Sequence, residues 1–390
     1  MSDEPLSDPR TYARGIPHAR FASLRAASPV AWQPDAGGYW AVTSYAAVEA
    51  VLRAPERFSS ELRGCLLADP PDAALPALRI GMMHKDPPDH TRLRATVART
   101  FTPRRVAQLD ERVSVKAREI VDGVRARGAC DFATDVAGEL PLFLICELLG
   151  VPASARAALV VLAQRMLSPT HPDPAQRFAD GAAAAAEMRA YGLVLRAEKR
   201  AAPGDDLVSE LDELADAEFA ALFQLLFNAG ADNTRSASCF ALDLLLDRPD
   251  AIAALRADPT KLGPAIEEAL RVEPPTIQFR RTAVADTELA GTPIRALDKV
   301  VVFFPAANRD PAEFPAPDTV DLARRDNRHL SFGMGVHYCL GAPLARLELR
   351  ALLGAVLALP ELRRAGPLVE APSNFVRNVR SLPIAFGAAA

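Results

Sequence analysis

Residues 332–341 read Phe332-Gly333-Met334-Gly335-Val336-His337-Tyr338-Cys339-Leu340-Gly341, and a stretch with apolar residues at helical spacing, about 341–358, follows directly. Glycines at 333, 335 and 341 lack a Cβ, so the backbone can turn sharply and come close to a flat macrocycle. Backbone N–H groups at what reads as a helix N-terminus can point at the Cys339 sulfur and hold it as thiolate. The run therefore proposes Cys339 as a metal ligand, the axial thiolate of a haem iron. A thiolate pushes electron density through iron and favours O–O cleavage, whereas histidine would favour reversible oxygen carriage. The plainer alternative, a structural cysteine buried after a glycine turn, has no need of such a frame.

The run resembles the haem-ligand loop of the cytochrome P-450 superfamily, the haem-thiolate monooxygenases, and the resemblance continues elsewhere in the family's order. Asp86-Pro87-Pro88-Asp89-His90-Thr91-Arg92-Leu93-Arg94 looks like the family's bacterial segment leading into a helix under the haem. His90 and Arg94 stand four apart on one helical face, and the resemblance implies that both reach a propionate. Glu268-Ala269-Leu270-Arg271 matches the Glu-x-x-Arg helix, where i,i+3 spacing sets acid beside base. Arg281 resembles the strand arginine that reaches a propionate, and His329 another such contact. Asn308-Arg309-Asp310-Pro311 and Asp321-Leu322-Ala323-Arg324 resemble the meander, whose arginine, Arg324, would complete a buried cluster with Glu268 and Arg271. The resemblance runs from about residue 80 to Pro383, and the first 80 residues fit the same plan less specifically.

The fold so implied is mainly α with small β-sheets, one helix-rich domain over residues 1–390 enclosing haem b (iron protoporphyrin IX). Gly230, Phe332, Gly333, His337 and Gly341 join Cys339 and the propionate contacts as cofactor-binding residues. The oxygen-activating helix is expected as one continuous element over 216–247. Within it Ala229-Gly230-Ala231-Asp232-Asn233-Thr234 resembles the family's acid–alcohol segment, which delivers protons to bound dioxygen. Gly230 would allow close approach, and Asp232 stands where the acid belongs. Asn233 occupies the first threonine position, with Thr234 second. A carboxamide can both donate and accept hydrogen bonds, so Asn233 could hold dioxygen or a water while Asp232 relays the proton. Two other readings stay open: a substrate hydroxyl supplies the missing group, or Asn233 caps or kinks the helix.

Leu225, Asn228 and Asp232 recur at i, i+3 and i+7, so they share one helical face, and Ala229 adjoins it. Ile277, Gln278, Phe375 and Val376 match family positions that line the substrate cavity, and Leu66, Leu67, Met82 and Met83 are expected as its roof. Asn228 and Gln278 would either hold a polar handle on an otherwise lipophilic substrate or bond to backbone. Asn378 stands where the family commonly has glycine, as a residue that tolerates left-handed backbone.

The implied reaction inserts one oxygen atom from dioxygen into a small lipophilic metabolite. No glycine-rich fingerprint for a flavin or nicotinamide domain is present, so electrons are expected from a separate ferredoxin and ferredoxin reductase. Arg92, Arg99, Arg328, Arg346 and Arg350 are candidates to steer an acidic donor. A peroxide-dependent or oxidative-rearrangement enzyme on the same scaffold, or a non-catalytic haem-based sensor, are the competing readings.

Composition agrees. The 390 residues are 49% hydrophobic, enough for a substantial core, and a net charge of −4 gives no footprint for nucleic acid. Five cysteines at scattered positions form neither a disulfide framework nor a paired zinc pattern. The N-terminal residues mix Asp, Glu, Arg and Pro, without the apolar run of a signal peptide. No stretch approaches the roughly 20 apolar residues of a membrane span. A cytoplasmic monomer, without membrane or nucleic-acid partner, is the expectation, with about residues 1–15 flexible. Helical periodicity occupies 103–127, 135–150, 153–167, 174–200, 216–247, 249–257, 261–272 and 341–358, and strand-like patterning 29–33, 39–43, 276–302 and 373–386. Asp69-Pro70-Pro71 and Pro169 to Pro174 read as loops.

Overall fold

The computed structural model describes residues 4–167 and 174–387. The loop expected at Pro169 to Pro174 lies largely outside them. The elements that position the cavity are, in chain order, strands β1 (Val30–Gln33) and β2 (Tyr39–Val42), helix α1 (Tyr45–Arg53), strand β3 (Phe58–Ser59), and helices α2 (Asp89–Ala98), α3 (Glu139–Leu149), α4 (Ala153–Leu167), α5 (Pro174–Ala201), α6 (Asp216–Ala231), α7 (Asn233–Leu246) and α8 (Leu262–Val272). Strands β4 (Gln278–Ala283) and β5 (Lys299–Phe303), helix α9 (Ala342–Leu357), and strands β6 (Val369–Ala371) and β7 (Asn378–Ser381) complete the set.

Local chemistry explains several boundaries. The Ser44 hydroxyl accepts the Ala47 N–H at 3.3 Å and starts α1. Gly150, at φ +67°, ends α3 in the left-handed conformation that glycine adopts without penalty. The expected helix over 103–127 is two pieces, Pro103–Ala107 and Asp110–Arg125. The long helix expected over 216–247 is also two, α6 and α7, broken at Asp232.

The largest sheet has the order β1-β2-β5-β4-β3, with β2 and β5 parallel and the other neighbours antiparallel. All five residues of β5 are buried, as expected of an unbroken Val/Phe run covered on both faces. The main helical core gathers Leu344, Leu347, Leu352 and Val356 of α9 with residues of α3, α6, α7 and α8. Cys339 thus precedes a helix anchored on one apolar stripe. The N-terminal segment expected to be flexible packs instead: Leu6 and Tyr12 are buried with Phe21, Tyr39 and Phe303, because two large apolar side chains can be taken from water there. Among the described residues no single helix is long and apolar enough to cross a membrane.

Candidate active site

Cys339 lies on the wall of a cavity of about 1380 Å³. Its approach is held by backbone geometry. Gly333 and Gly335 have φ of +68° and +69°, and a Cβ on Gly335 would stand 2.2 Å from the Leu52 carbonyl oxygen of α1. Gly341 differs: its φ is −82°, it is the N-cap residue of α9, and a Cβ there would meet no protein atom within 4 Å. The Cys339 N–H donates to the Phe332 carbonyl at 2.8 Å and closes the loop. Burial raises the thiol pKa, opposed by the N–H groups of Gly341 and Ala342 and by the charges of Arg94 and Arg346. The sulfur thus has the donors and charges that stabilise a thiolate.

A cationic corner adjoins it. Arg94 on α2 and Arg281 on β4 both line the cavity, and among the described residues neither has a carboxylate within 4.0 Å. Arg281 is 5% exposed, and its Nη1 donates to the Arg280 carbonyl at 2.8 Å. His90 and His337 pack ring to ring at 4.2 Å, and the His90 Nδ1 is buried without a partner. Burial, with the charges of Arg281 and Arg94 nearby, pushes His337 down to about 2 and lowers His90. A buried and a half-buried guanidinium without counter-charge call for an anion.

Opposite chemistry sits at the break between α6 and α7. Asp232 has φ −102° and ψ −40°. Its Oδ1 accepts from Arg235 Nη2 at 2.6 Å and Nε at 3.0 Å, and its Oδ2 accepts from Asn378 Nδ2 at 3.0 Å. Arg235 also donates to the Asn378 Oδ1 and the Val379 carbonyl of β7. Asp232, Asn233 and Thr234 all line the cavity, and the Asn233 Oδ1 is buried without a partner.

The profile of the cytochrome P450 family matches residues 194–363. The cytochrome P450 monooxygenase PikC of Streptomyces venezuelae is 39% identical over 385 residues, covering 94% of this chain and 90% of PikC. The steroid C26-monooxygenase of Rhodococcus jostii is 34% identical over 399 residues, covering 97% and 84%. The chain belongs to the cytochrome P450 family. Among solved structures, Mycobacterium marinum cytochrome P450 CYP268A2, in complex with pseudoionone, superposes with a TM-score of 0.89 at 38% identity over 97% of each chain. The chain is accordingly a P450 monooxygenase, an oxidoreductase, with the mainly helical P450 fold.

The residues fit the haem that this family implies. The Cys339 sulfur with its N–H donors, the open space over Gly341, and two carboxylate-free guanidiniums beside an unpaired imidazole nitrogen match a thiolate-ligated macrocycle with two carboxylates. No cluster of His, Cys, Asp and Glu among the described residues could hold a metal by itself.

Most residues singled out from sequence converge on this P450 cavity: His90, Arg94, Gln278, Arg281, Phe332, Gly333, His337, Cys339, Gly341, Leu66, Leu67, Met82, Met83, Leu225, Asn228, Ala229, Gly230, Phe375 and Val376. Four expectations need correction. His329 does not line the cavity; its Nε2 meets Glu267 at 3.1 Å and its Nδ1 accepts the Ser331 N–H, so both nitrogens are engaged. Ile277 is fully buried beside Leu67 and Phe303, packed under the sheet rather than on the wall. The missing Cβ of Gly230 faces Ile145, which it would approach to 3.0 Å, so this glycine admits α3 against α6. Asn378 has no left-handed backbone; its amide ties Asp232 to Arg235.

The buried cluster formed as expected. Glu268 and Arg271 are fully buried, and Arg324 reaches the Glu268 Oε2 at 3.1 Å. The arginines considered for donor steering are mostly neutralised: Arg92 pairs with Glu218, Arg328 with Glu313, Arg346 with Glu267 and Arg350 with Asp110. Sequence reasoning missed Arg235, although its i+3 spacing from Asp232 was readable. It also missed Arg189, Gln224 and Glu348 on the cavity wall, which only the packing of α5, α6 and α9 brings there. Glu348 is buried without an ionic partner among the described residues, and burial raises its pKa well above the ordinary value.

Proposed function

We propose that this P450 inserts one oxygen atom from dioxygen into a lipophilic small molecule, on haem b ligated by Cys339. The observation that carries the reading is the placement of the Cys339 sulfur, supported by two backbone N–H groups, and of the Asp232 break on the wall of one cavity. Haem, when bound, supplies the activation of dioxygen. Cys339 would ligate it, and Arg94, Arg281 and His90 would take its carboxylates, with His329 engaged elsewhere by Glu267. Asn233 lines the cavity with its amide oxygen buried and unpaired, and a rotation of that amide would let it hold a water or the oxygen substrate by hydrogen bonding. The Asp232 carboxylate would pass protons inward, and for that one of its contacts, to Arg235 or to Asn378, must open.

Asn233 is also the first residue of α7, so the kink reading and the hydrogen-bonding reading describe one residue doing both. Leu66, Met83, Leu225 and Phe375 give the cavity its apolar lining, with Asn228 and Gln278 as buried polar exceptions. One relative acts on a lipophilic substrate by name, a steroid, which supports a lipophilic substrate here. Residues from Ser7 to Arg380 line the cavity, in keeping with a single domain. A cytoplasmic monomer receiving electrons from a ferredoxin and its reductase completes the proposal.

The test is the optical spectrum of purified, haem-loaded protein, reduced under carbon monoxide. A strongly red-shifted Soret band is expected; its absence at full haem loading refutes thiolate ligation by Cys339. The peroxide-driven reading is favoured by the doubly held Asp232 and the absent alcohol at position 233. Turnover with hydrogen peroxide, but none with a ferredoxin, its reductase and NADPH, would select it.

A further inference from the structure

Arg189 is a half-buried cation of the cavity that neither the haem corner nor the Asp232 cluster uses; Arg380, exposed, and Arg10, paired with Asp8, also reach its wall. It projects from α5, and its Nε donates to the Gln224 Oε1 of α6 at 2.5 Å. Among the described residues it has no carboxylate within 4.0 Å and no hydrogen bond from either Nη, which leaves the outward face of the guanidinium with its donors unspent. Burial lowers its pKa, the mark of a partly desolvated cation with nothing opposite it. Gln224 and Asn228 are i and i+4 on α6, both on the cavity wall. The Asn228 Nδ2 faces only the Met166 sulfur at 3.6 Å, and its Oδ1 is buried without a partner. A half-turn of that amide exchanges donor for acceptor at the same spot. Around this corner the wall is apolar: Leu225, Ala221 and Leu226 from α6, with Met82 and Met83 from the turn packed against that helix.

We infer that Arg189, oriented by Gln224 and assisted by Asn228, binds an anionic oxygen group, so that the preferred substrates are carboxylic acids on an apolar chain. The inference rests on the monooxygenase reading and names its substrate class. A guanidinium holds a carboxylate through two parallel N–H donors, the strongest neutralisation available to a half-buried cation. A neutral lipid of the same length would displace water from those donors without replacing its hydrogen bonds. Gln224 precedes Asp232 by eight residues, about 12 Å of helix. An extended chain advances roughly 1.2 Å per bond, so an acid held at Arg189 reaches the break with about its tenth carbon. Oxidation is therefore expected far from the carboxyl group.

The test uses the wild-type holoenzyme and three probes of one chain length: decanoic acid, methyl decanoate and decan-1-ol. Binding is measured by equilibrium dialysis, which needs no response from the haem, and in parallel by the haem spin shift. The acid is expected to bind at least tenfold more tightly than the ester or alcohol. Arg189→Gln should erase that preference while leaving the ester within about twofold, and Arg189→Lys should keep part of it. Equal affinity of acid and ester in the wild type overturns the inference without recourse to a variant, as does failure of the acid to bind. A preference that survives Arg189→Gln and vanishes in Arg380→Gln also overturns it, moving the anion to the exposed arginine on the wall. Loss of the thiolate spectrum alongside an intact acid preference would sink the monooxygenase reading while leaving the anion site standing.

Discussion

Replacing Glu268 by glutamine removes one charge from the most heavily bonded carboxylate among the described residues. Glu268 Oε1 accepts from Arg271 Nη2 at 2.7 Å and the Asp321 N–H at 2.8 Å. Its Oε2 accepts from Arg271 Nε at 2.8 Å, Asn327 Nδ2 at 3.0 Å and Arg324 Nε at 3.1 Å. A glutamine keeps one oxygen and turns two N–H donors into a nest of donors. The fully buried Arg271 guanidinium is then held only by the carbonyls of Asn308, Pro317 and Thr319. Breaking a buried pair from one side costs about 3–5 kcal/mol. At about 2.1 cal/mol/K per residue, a 390-residue chain unfolds with an entropy near 0.8 kcal/mol/K. The melting temperature should therefore fall by about 4–6 °C, measured by calorimetry at pH 7 on haem-loaded protein. Burial would raise the Glu268 pKa, but the bonds from Arg271 and Asp321 and the charges of Arg271 and Arg324 hold it below its ordinary 4.5. A depressed carboxylate contributes stability that is present above the unfolded value and lost as pH falls through the folded one. The gap between wild type and Glu268→Gln should consequently narrow below about pH 4.5. A melting temperature within 1 °C of wild type at pH 7 would refute the reasoning, since the cluster would then contribute nothing.

Other outcomes follow from separate parts of the site. Asn233→Ala should lower the ratio of product formed to electrons consumed, with peroxide making up the difference; unchanged coupling shows that Asn233 only fills the kink. Gly335→Ala combines a φ of +69° with a Cβ 2.2 Å from the Leu52 oxygen, and strain of about 1–3 kcal/mol or more should reduce haem incorporation; full haem content with an unshifted melting temperature contradicts it. Glu267, which burial alone would raise, is held down to about 2 by bonds from Arg346 and His329. Wild type should keep that contribution at pH 5 and lose it between about 4.5 and 2. Arg346→Leu should flatten the dependence of melting temperature on pH in that window, and parallel curves for the two proteins would rule this out.

Chemistry carried by short, contiguous stretches is legible in the amino-acid sequence alone. The glycine-framed Cys339, the Glu268–Arg271 spacing and the Asp232 position depend on residues within a turn or two of one another, and local periodicity is what a sequence displays. His90 and Arg94 share a helical face for the same reason, and both reach the cavity. The order of motifs supplied the fold, because one topology accommodates them all.

What only the tertiary structure decided involves partners far apart in the chain. Asn378 lies 146 residues from the Asp232 it holds, and no spacing rule connects them. The ring of His329 is spent on Glu267, 62 residues away, an ion partner that competes with any ligand and leaves no trace in the run around His329. Arg189 looks in sequence like one more solvated arginine on an alanine-rich helix; packing α5 against α6 takes it partly out of water beside Gln224. Ile277 and Gln278 are neighbours, yet Ile277, just before β4, packs into the core beside Leu67 and Phe303, while Gln278, the first residue of the strand, lies on the cavity wall. Sequence determined which chemistry the chain carries, because that chemistry is local, while burial and counter-charge, which set how each group behaves, are properties of the folded surroundings.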